Sequence, residues 1–223
     1  VKKGVSSLLF LSLLLVAFGG TSSWAQDERN DVAPILEQLK KAQESLKDFT
    51  ADIKQVKVSS LFTEPVVSQG KMRLKRPNQI WVEMYPPYSS VTVLNQGILL
   101  YYFPEEKVAQ RYDVAGNPVL AKWLLFFQNP IETLGKDIQL LEERAGEAEL
   151  SIDPAEDLAT FQEIRIAIDT ANWMPKRLEL MEKNGDRTTI NYENIKINVG
   201  IPDSSFQLHL PPDVDIIEPM KHQ

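Results

Sequence analysis

The stretch Ser68-Gln69-Gly70-Lys71-Met72-Arg73-Leu74-Lys75-Arg76-Pro77-Asn78 decides the fold. Its residues alternate with period two, the spacing of a β-strand. Successive strand side chains point to opposite faces. Gly70, Met72, Leu74 and Arg76 therefore share one face, and Lys71, Arg73 and Lys75 share the other. The strand predicts an apolar inner face and a basic, wet outer face. Arg76 falls on the apolar side, and Pro77 ends the ladder because it has no N–H to donate. A guanidinium aimed into an apolar interior needs acceptors for its fork of donors. Backbone carbonyls at a helix end, or a carboxylate, can supply them, which suggests a latch closing an apolar space. An Arg at a strand end can also snorkel out to water.

Upstream, Asn30 to Lys47 reads as one amphipathic helix, capped by Asn30 or Asp31 with Pro34 in its first turn. Val32, Ile35, Leu36, Leu39, Ala42 and Leu46 form its apolar stripe. The period then changes to two. Phe49, Ala51, Ile53 and Gln55 make one face of a long first strand. Downstream of the latch strand, Ile80, Val82 and Met84 are the apolar face of the next, closed by Pro86-Pro87. Strands at 91–94, 98–103 and 108–112 follow, joined by turns at Asn95-Gln96-Gly97 and Pro104-Glu105-Glu106-Lys107. Such short connections favour an antiparallel meander.

Residues 113–135 break the pattern. Asn117-Pro118 starts a helix, and Val119 to Phe127 is apolar nearly all round. Leu120, Trp123, Leu124 and Phe127 share one of its faces. The helix is either a plug buried in the mouth of the sheet or a lid over a ligand cavity. Strands resume at 138–142, 149–152, 161–168, 177–181, 187–192 and 206–210, punctuated by Gly146, Asn184-Gly185 and Pro211-Pro212. No repeat or interdomain linker interrupts them. The fold class is mainly β (α+β): one strongly curved antiparallel sheet or incomplete barrel, with an N-terminal amphipathic helix and a short helical lid.

The beginning of the chain has a different character. Val1-Lys2-Lys3 precedes an apolar run from Leu8 to Phe18 and the small-x-small site Ser23-Trp24-Ala25. This predicts a signal peptide, residues 1–25, cleaved after Ala25 and followed by one domain, residues 26–223. Removing residues 1–25 takes away Lys2 and Lys3 and no acid. It leaves 22 basic against 31 acidic side chains, a net charge of −9. Such a surface repels nucleic acid and anionic headgroups. The absence of cysteine excludes disulfides, thiol chemistry and a lipid-modified N-terminal Cys. A soluble, monomeric periplasmic protein fits these features.

Catalytic motifs are scarce. The two histidines are His209, out of phase with the apolar face of its strand, and His222, beside the end of the sequence. No metal-ligand cluster, phosphate loop or nucleophile elbow appears, so neither an enzyme nor a cofactor is expected. Excess apolar surface points instead to an apolar ligand. The candidate cavity residues are Phe49, Ile53, Met72 and Leu74, then Ile80, Val82 and Met84. Ile164, Ile166 and the lid face Leu120, Trp123, Leu124 and Phe127 complete the set.

Taken together, the motifs resemble the periplasmic outer-membrane lipoprotein carrier family (LolA). Lys75-Arg76-Pro77-Asn78 with Gly70 is similar to its Lys/Arg-Arg-Pro signature. The segment from Phe49 to Gln55 is similar to its first strand. Leu94 to Gly97 with Leu100 to Pro104 resembles its hairpin before an aromatic-Pro turn, and Phe206 to Val214 its closing strand and double proline. Where the family often has an aromatic, Val82 stands here, and Trp81 occupies the preceding, usually basic, position. The resemblance implies a helical lid over a hydrophobic cavity, with Arg76 tying the lid shut through backbone carbonyls. It implies acylated lipoproteins as cargo, an inner-membrane lipoprotein-releasing transporter as donor and an outer-membrane lipoprotein as acceptor. The same features also suit a carrier of a glycolipid or polyketide working with an export pump, or a lipid-sensing regulatory domain.

Overall fold

The structure, a computed structural model, describes residues 32–114, 135–154 and 160–218. Helix α1 spans Ala33–Ser45. It starts later and ends earlier than its apolar stripe predicts. Val32, not Asn30 or Asp31, stands at the cap position and gives no side-chain cap; Pro34 sits in the first turn. The far end is set by Asn198, whose Oδ1 accepts from the Lys47 N–H at 2.7 Å. Its Nδ2 donates to the Ser45 carbonyl at 3.2 Å. These bonds satisfy backbone groups that a helix end leaves open. Ile35 and Leu39 are the helix residues buried against the sheet.

The strands are β1 Asp48–Val58, β2 Val66–Lys75, β3 Gln79–Met84, β4 Ser90–Asn95, β5 Ile98–Phe103 and β6 Val108–Asp113. They continue as β7 Gly135–Arg144, β8 Glu147–Pro154, β9 Phe161–Asp169, β10 Met174–Glu182, β11 Arg187–Ile197 and β12 Asp215–Ile217. All belong to one sheet, ordered β12-β6-β5-β4-β3-β2-β1-β11-β10-β9-β8-β7. Two antiparallel meanders, β1–β6 and β7–β11, are thus joined where β1 pairs with β11. The sheet curves into an incomplete barrel whose edge strands are β12 and β7.

Local chemistry fixes this register. Between β4 and β5, Gln96 and Gly97 both have positive φ, +50° and +78°. That is the two-residue turn whose twist matches paired strands. Gly70 is needed for close approach: a Cβ there would lie 2.1 Å from the Glu83 carbonyl oxygen of β3.

The strand expected at 206–210 is absent. Asp203–Phe206 forms a 3-10 turn, and β12 follows later, pairing in parallel with β6. The reason lies on the outer face of the first meander. Phe206, 0% exposed, is buried there, and the Asn95 Nδ2 donates to its carbonyl at 3.2 Å. Arg73 donates to the Ser205 carbonyl at 3.2 Å. Lys75 donates to the Ile201 carbonyl at 2.9 Å and pairs with Asp203. The face read as basic and wet is therefore partly covered by the C-terminal segment. The buried Asp48 carboxylate anchors that segment by accepting from the N–H groups of Val199, Gly200 and Ile201.

On the inner face the core forms two clusters. One joins Ile35 and Leu39 to Leu150, Ile152, Ile164, Ile166, Ile168 and Leu178. The other joins Phe49, Ala51 and Ile53 to Met72, Leu74, Ile80 and Leu94. Tyr192 and Ile190 of β11 pack against both.

Candidate ligand cavity

A cavity of about 140 Å³ lies where α1, the two core clusters and the β9–β10 turn meet. Leu39, Gln43 and Leu46 of the α1 segment form one wall, and Phe49, Met72, Leu74 and Arg76 form the second. Ile138, Leu150, Ile152, Ile166, Ile168 and Leu178 floor it, with Trp173, Met174, Pro175 and Tyr192 closing the seam. An apolar space of this size holds roughly one benzene-sized group. A longer acyl chain has to extend through its open side or part the wall.

Arg76 continues the parity of Met72 and Leu74 past the end of β2, which carries its side chain into the wall. Its backbone N–H donates to the Lys47 carbonyl at 2.8 Å, tying the strand end to the segment that leaves α1. Burial lowers the guanidinium pKa from its ordinary value, yet an Arg stays charged at any physiological pH. The space is thus largely apolar, with one fixed cation among its described lining residues.

Phe49, Met72, Leu74 and Ile166, together with Arg76, come together around the cavity. Ile53, Ile80, Val82, Met84 and Ile164 share the inner face but do not line it. Ile53 and Ile80 are buried within the first-meander cluster, and Val82 and Met84 pack against that cluster from β3. Ile164, 1% exposed, is sealed beneath α1. Strand parity selects a face; distance from the seam selects the cavity. Leu120, Trp123, Leu124 and Phe127 lie outside the described residues, as do residues 1–25.

Several lining residues escaped the sequence reading. Leu39 and Leu46 belong to the helix stripe, and Leu150, Ile152, Ile168 and Leu178 to strand alternations. These signals were present but gave no depth. Trp173 had none: it lines the cavity from a tight turn with φ +59°, a costly conformation for a bulky residue. Trp81, by contrast, is on the outer face, with the Arg73 guanidinium 5.4 Å from its ring centroid. His209 is exposed.

The family model described as "Outer membrane lipoprotein carrier protein LolA" matches residues 44–209, well over half of the chain. The chain belongs to this family. The LolA match begins at the last turn of α1 and takes in the described cavity wall apart from Leu39 and Gln43. An outer-membrane lipoprotein carrier protein of Pseudomonas putida (strain W619) is 23% identical over 219 residues, 97% of this chain and 99% of that protein. One from Azotobacter vinelandii (strain DJ / ATCC BAA-1303) is 23% identical over 215 residues, 94% and 99% of the two chains. A solved structure of an uncharacterized conserved protein from Thermus thermophilus superposes with TM-score 0.56 at 12% identity. It covers 84% of this chain and 98% of its own, a likeness of fold. Membership of the LolA family makes this a lipoprotein or lipid carrier by class.

Proposed function

We propose that this LolA-family chain is a periplasmic carrier that takes acylated lipoproteins from an inner-membrane transporter and delivers them to an outer-membrane acceptor. The observation that carries the reading is a small apolar cavity at a sheet seam with one arginine in its wall. In this reading residues 1–25 are removed on export and residues 26–223 act as one monomeric domain. The face of Leu120, Trp123, Leu124 and Phe127 covers the cargo, and Arg76 holds that cover shut when the cavity is empty.

The energetics suit a carrier. A sixteen-carbon chain in water costs roughly 12 kcal/mol, at about 0.8 per methylene. Apolar cover is required to cross an aqueous space. A carrier that recovered all of that energy would not release its load. In this reading loading a whole chain parts the cavity wall and separates groups that Arg76 holds together. Charge-assisted bonds of that kind are worth about 1.5–3 kcal/mol each, which lowers net affinity.

The reading is tested with spheroplasts depleted of native carrier. Added protein should release labelled lipoprotein as a soluble one-to-one complex. Failure to form any such complex, with clean binding of a glycolipid instead, overturns it.

A further inference from the structure

The cavity is not uniformly apolar. Besides Arg76 and the Trp173 indole, its described lining includes Tyr192 of β11 and Gln43 of α1. Tyr192 sits at the centre of the sheet, opposite Ile53 of β1, and packs against both core clusters. Protein surrounds it so closely that burial pushes its phenol pKa up to about 12. The residue nevertheless retains some exposed surface, because its ring borders the cavity. Its hydroxyl makes no hydrogen bond among the described residues, and neither does the Gln43 amide.

Neither group is needed to fill this space. A Phe and a Leu would line it as well and would leave no polar atom in an apolar surround. Neither polar atom is sealed off, so water can partner both in the empty state, and a ligand that displaces such water without replacing its hydrogen bonds loses affinity. A ligand that fills the cavity displaces that water and must supply an acceptor in its place. A hydrocarbon chain offers none. The polar atom nearest an acyl chain is its own carbonyl, an acceptor only, and the Tyr192 O–H and the Gln43 NH₂ are donors.

We propose that Tyr192 and Gln43 form a subsite for the acyl carbonyl, so that this cavity selects acyl-linked amphiphiles over equally long alkyl ones. The proposal rests on the carrier reading and names the linkage its cargo must contain. Tyr192 donates to the carbonyl oxygen from the sheet side, and Gln43 donates from the helix side. The chain beyond the carbonyl lies among Ile166, Leu178 and Met72. Ester and amide linkages present the same acceptor, and either can be read this way.

The test uses the protein purified from the periplasm and three matched ligands: 1-palmitoylglycerol, 1-O-hexadecylglycerol and the N-palmitoyl amide of aminopropanediol. Each displaces a bound anilinonaphthalene dye. The ester should bind the wild type roughly fivefold tighter than the ether, the effect of about one hydrogen bond. Tyr192→Phe should bring the ester down to the ether and leave the ether unchanged; Gln43→Leu should do so in part. The amide, whose carbonyl is the stronger acceptor, should bind at least as well as the ester, and an amide that binds only as well as the ether overturns the carbonyl subsite. Equal binding of ester and ether by the wild type overturns the subsite and leaves the carrier reading standing. So does a Tyr192→Phe loss shared equally by all three ligands, which would mean a packing role only. Binding of none of them would remove the carrier reading and the subsite together.

Discussion

The two meanders of this sheet are covered to different degrees on their two faces. The β7–β11 meander is sealed on its inner face by α1: Leu150, Ile152 and Ile164 are at most 1% exposed. Its outer face carries ion pairs such as Arg165–Glu163, at 2.8 Å, and Lys176–Glu147, at 2.7 Å. Both pairs are partly exposed, and such pairs add little stability. The β1–β6 meander is covered in part on both faces: Phe49, Ala51, Ile53, Met72, Leu74 and Ile80 are buried on its inner side. Its outer face is held by the C-terminal segment with Phe206 as the plug, while every residue of β5 remains half-buried. The inner-face residues Val82, Met84 and Leu99 are only partly buried as well. One half is a sealed floor; the other is a wall buried near β1 and β2 and only half-buried toward Val82, Met84 and β5. In the proposed reading, cargo larger than the resting space is accommodated on the less sealed side.

The sharpest way to break this comparison is Phe206→Ala. Removing a fully buried ring should cost about 3–5 kcal/mol in urea unfolding and release the C-terminal segment to proteolysis. A loss below about 1 kcal/mol would mean that the outer plug does not hold the first meander. Next comes a matched pair, Ile152→Ala and Val82→Ala. The floor residue should cost about 2–5 kcal/mol, the range for a sealed site. The wall residue should cost roughly 1 kcal/mol, because less of its surface leaves water. Equal costs would erase the distinction between floor and wall. Gly70→Ala should cost about 1–3 kcal/mol through overpacking, since the Glu83 carbonyl oxygen stands 2.1 Å from the new Cβ. A neutral result would show that β2 and β3 separate easily there.

A smaller effect is expected from pH. Burial raises the Tyr192 phenol from 10.0 to about 12 in the folded chain. An acid whose folded pKa is raised gives stability that is complete below its unfolded pKa and fades as pH rises through the folded one. Wild type should therefore lose stability between about pH 10 and 12 more steeply than Tyr192→Phe. Parallel curves would place the phenol in water.

Much of this was legible in the sequence because alternation is a local property. The face shared by Gly70, Met72 and Leu74 needed only strand parity, and the Gln96-Gly97 turn needed only turn chemistry. What alternation cannot convey is distance across the sheet. Ile80 and Ile166 have the same parity and burial, yet only Ile166 reaches the seam, because β9 lies under α1 and β3 does not. Nor does alternation separate a paired strand from an extended peptide laid on a sheet. The segment 206–210 reads as a strand, but Phe206 lies on the outer face of one, held through carbonyls that any sequence would offer. Trp173 was hidden for a different reason: its place depends on a positive φ that no local signal for a Trp announces.

In the proposed mechanism, acyl cargo enters the seam cavity and is expelled when Arg76 closes it. Arg76→Leu keeps the apolar wall and removes the cation, and Arg76→Lys keeps the charge without the planar fork. Uptake of labelled lipoprotein from spheroplasts and hand-over to acceptor membranes are to be measured separately for both variants and the wild type. Arg76→Leu should take up cargo at least as well as the wild type and hand over at least tenfold less, with Arg76→Lys between them. Hand-over by Arg76→Leu at the wild-type rate would contradict the account.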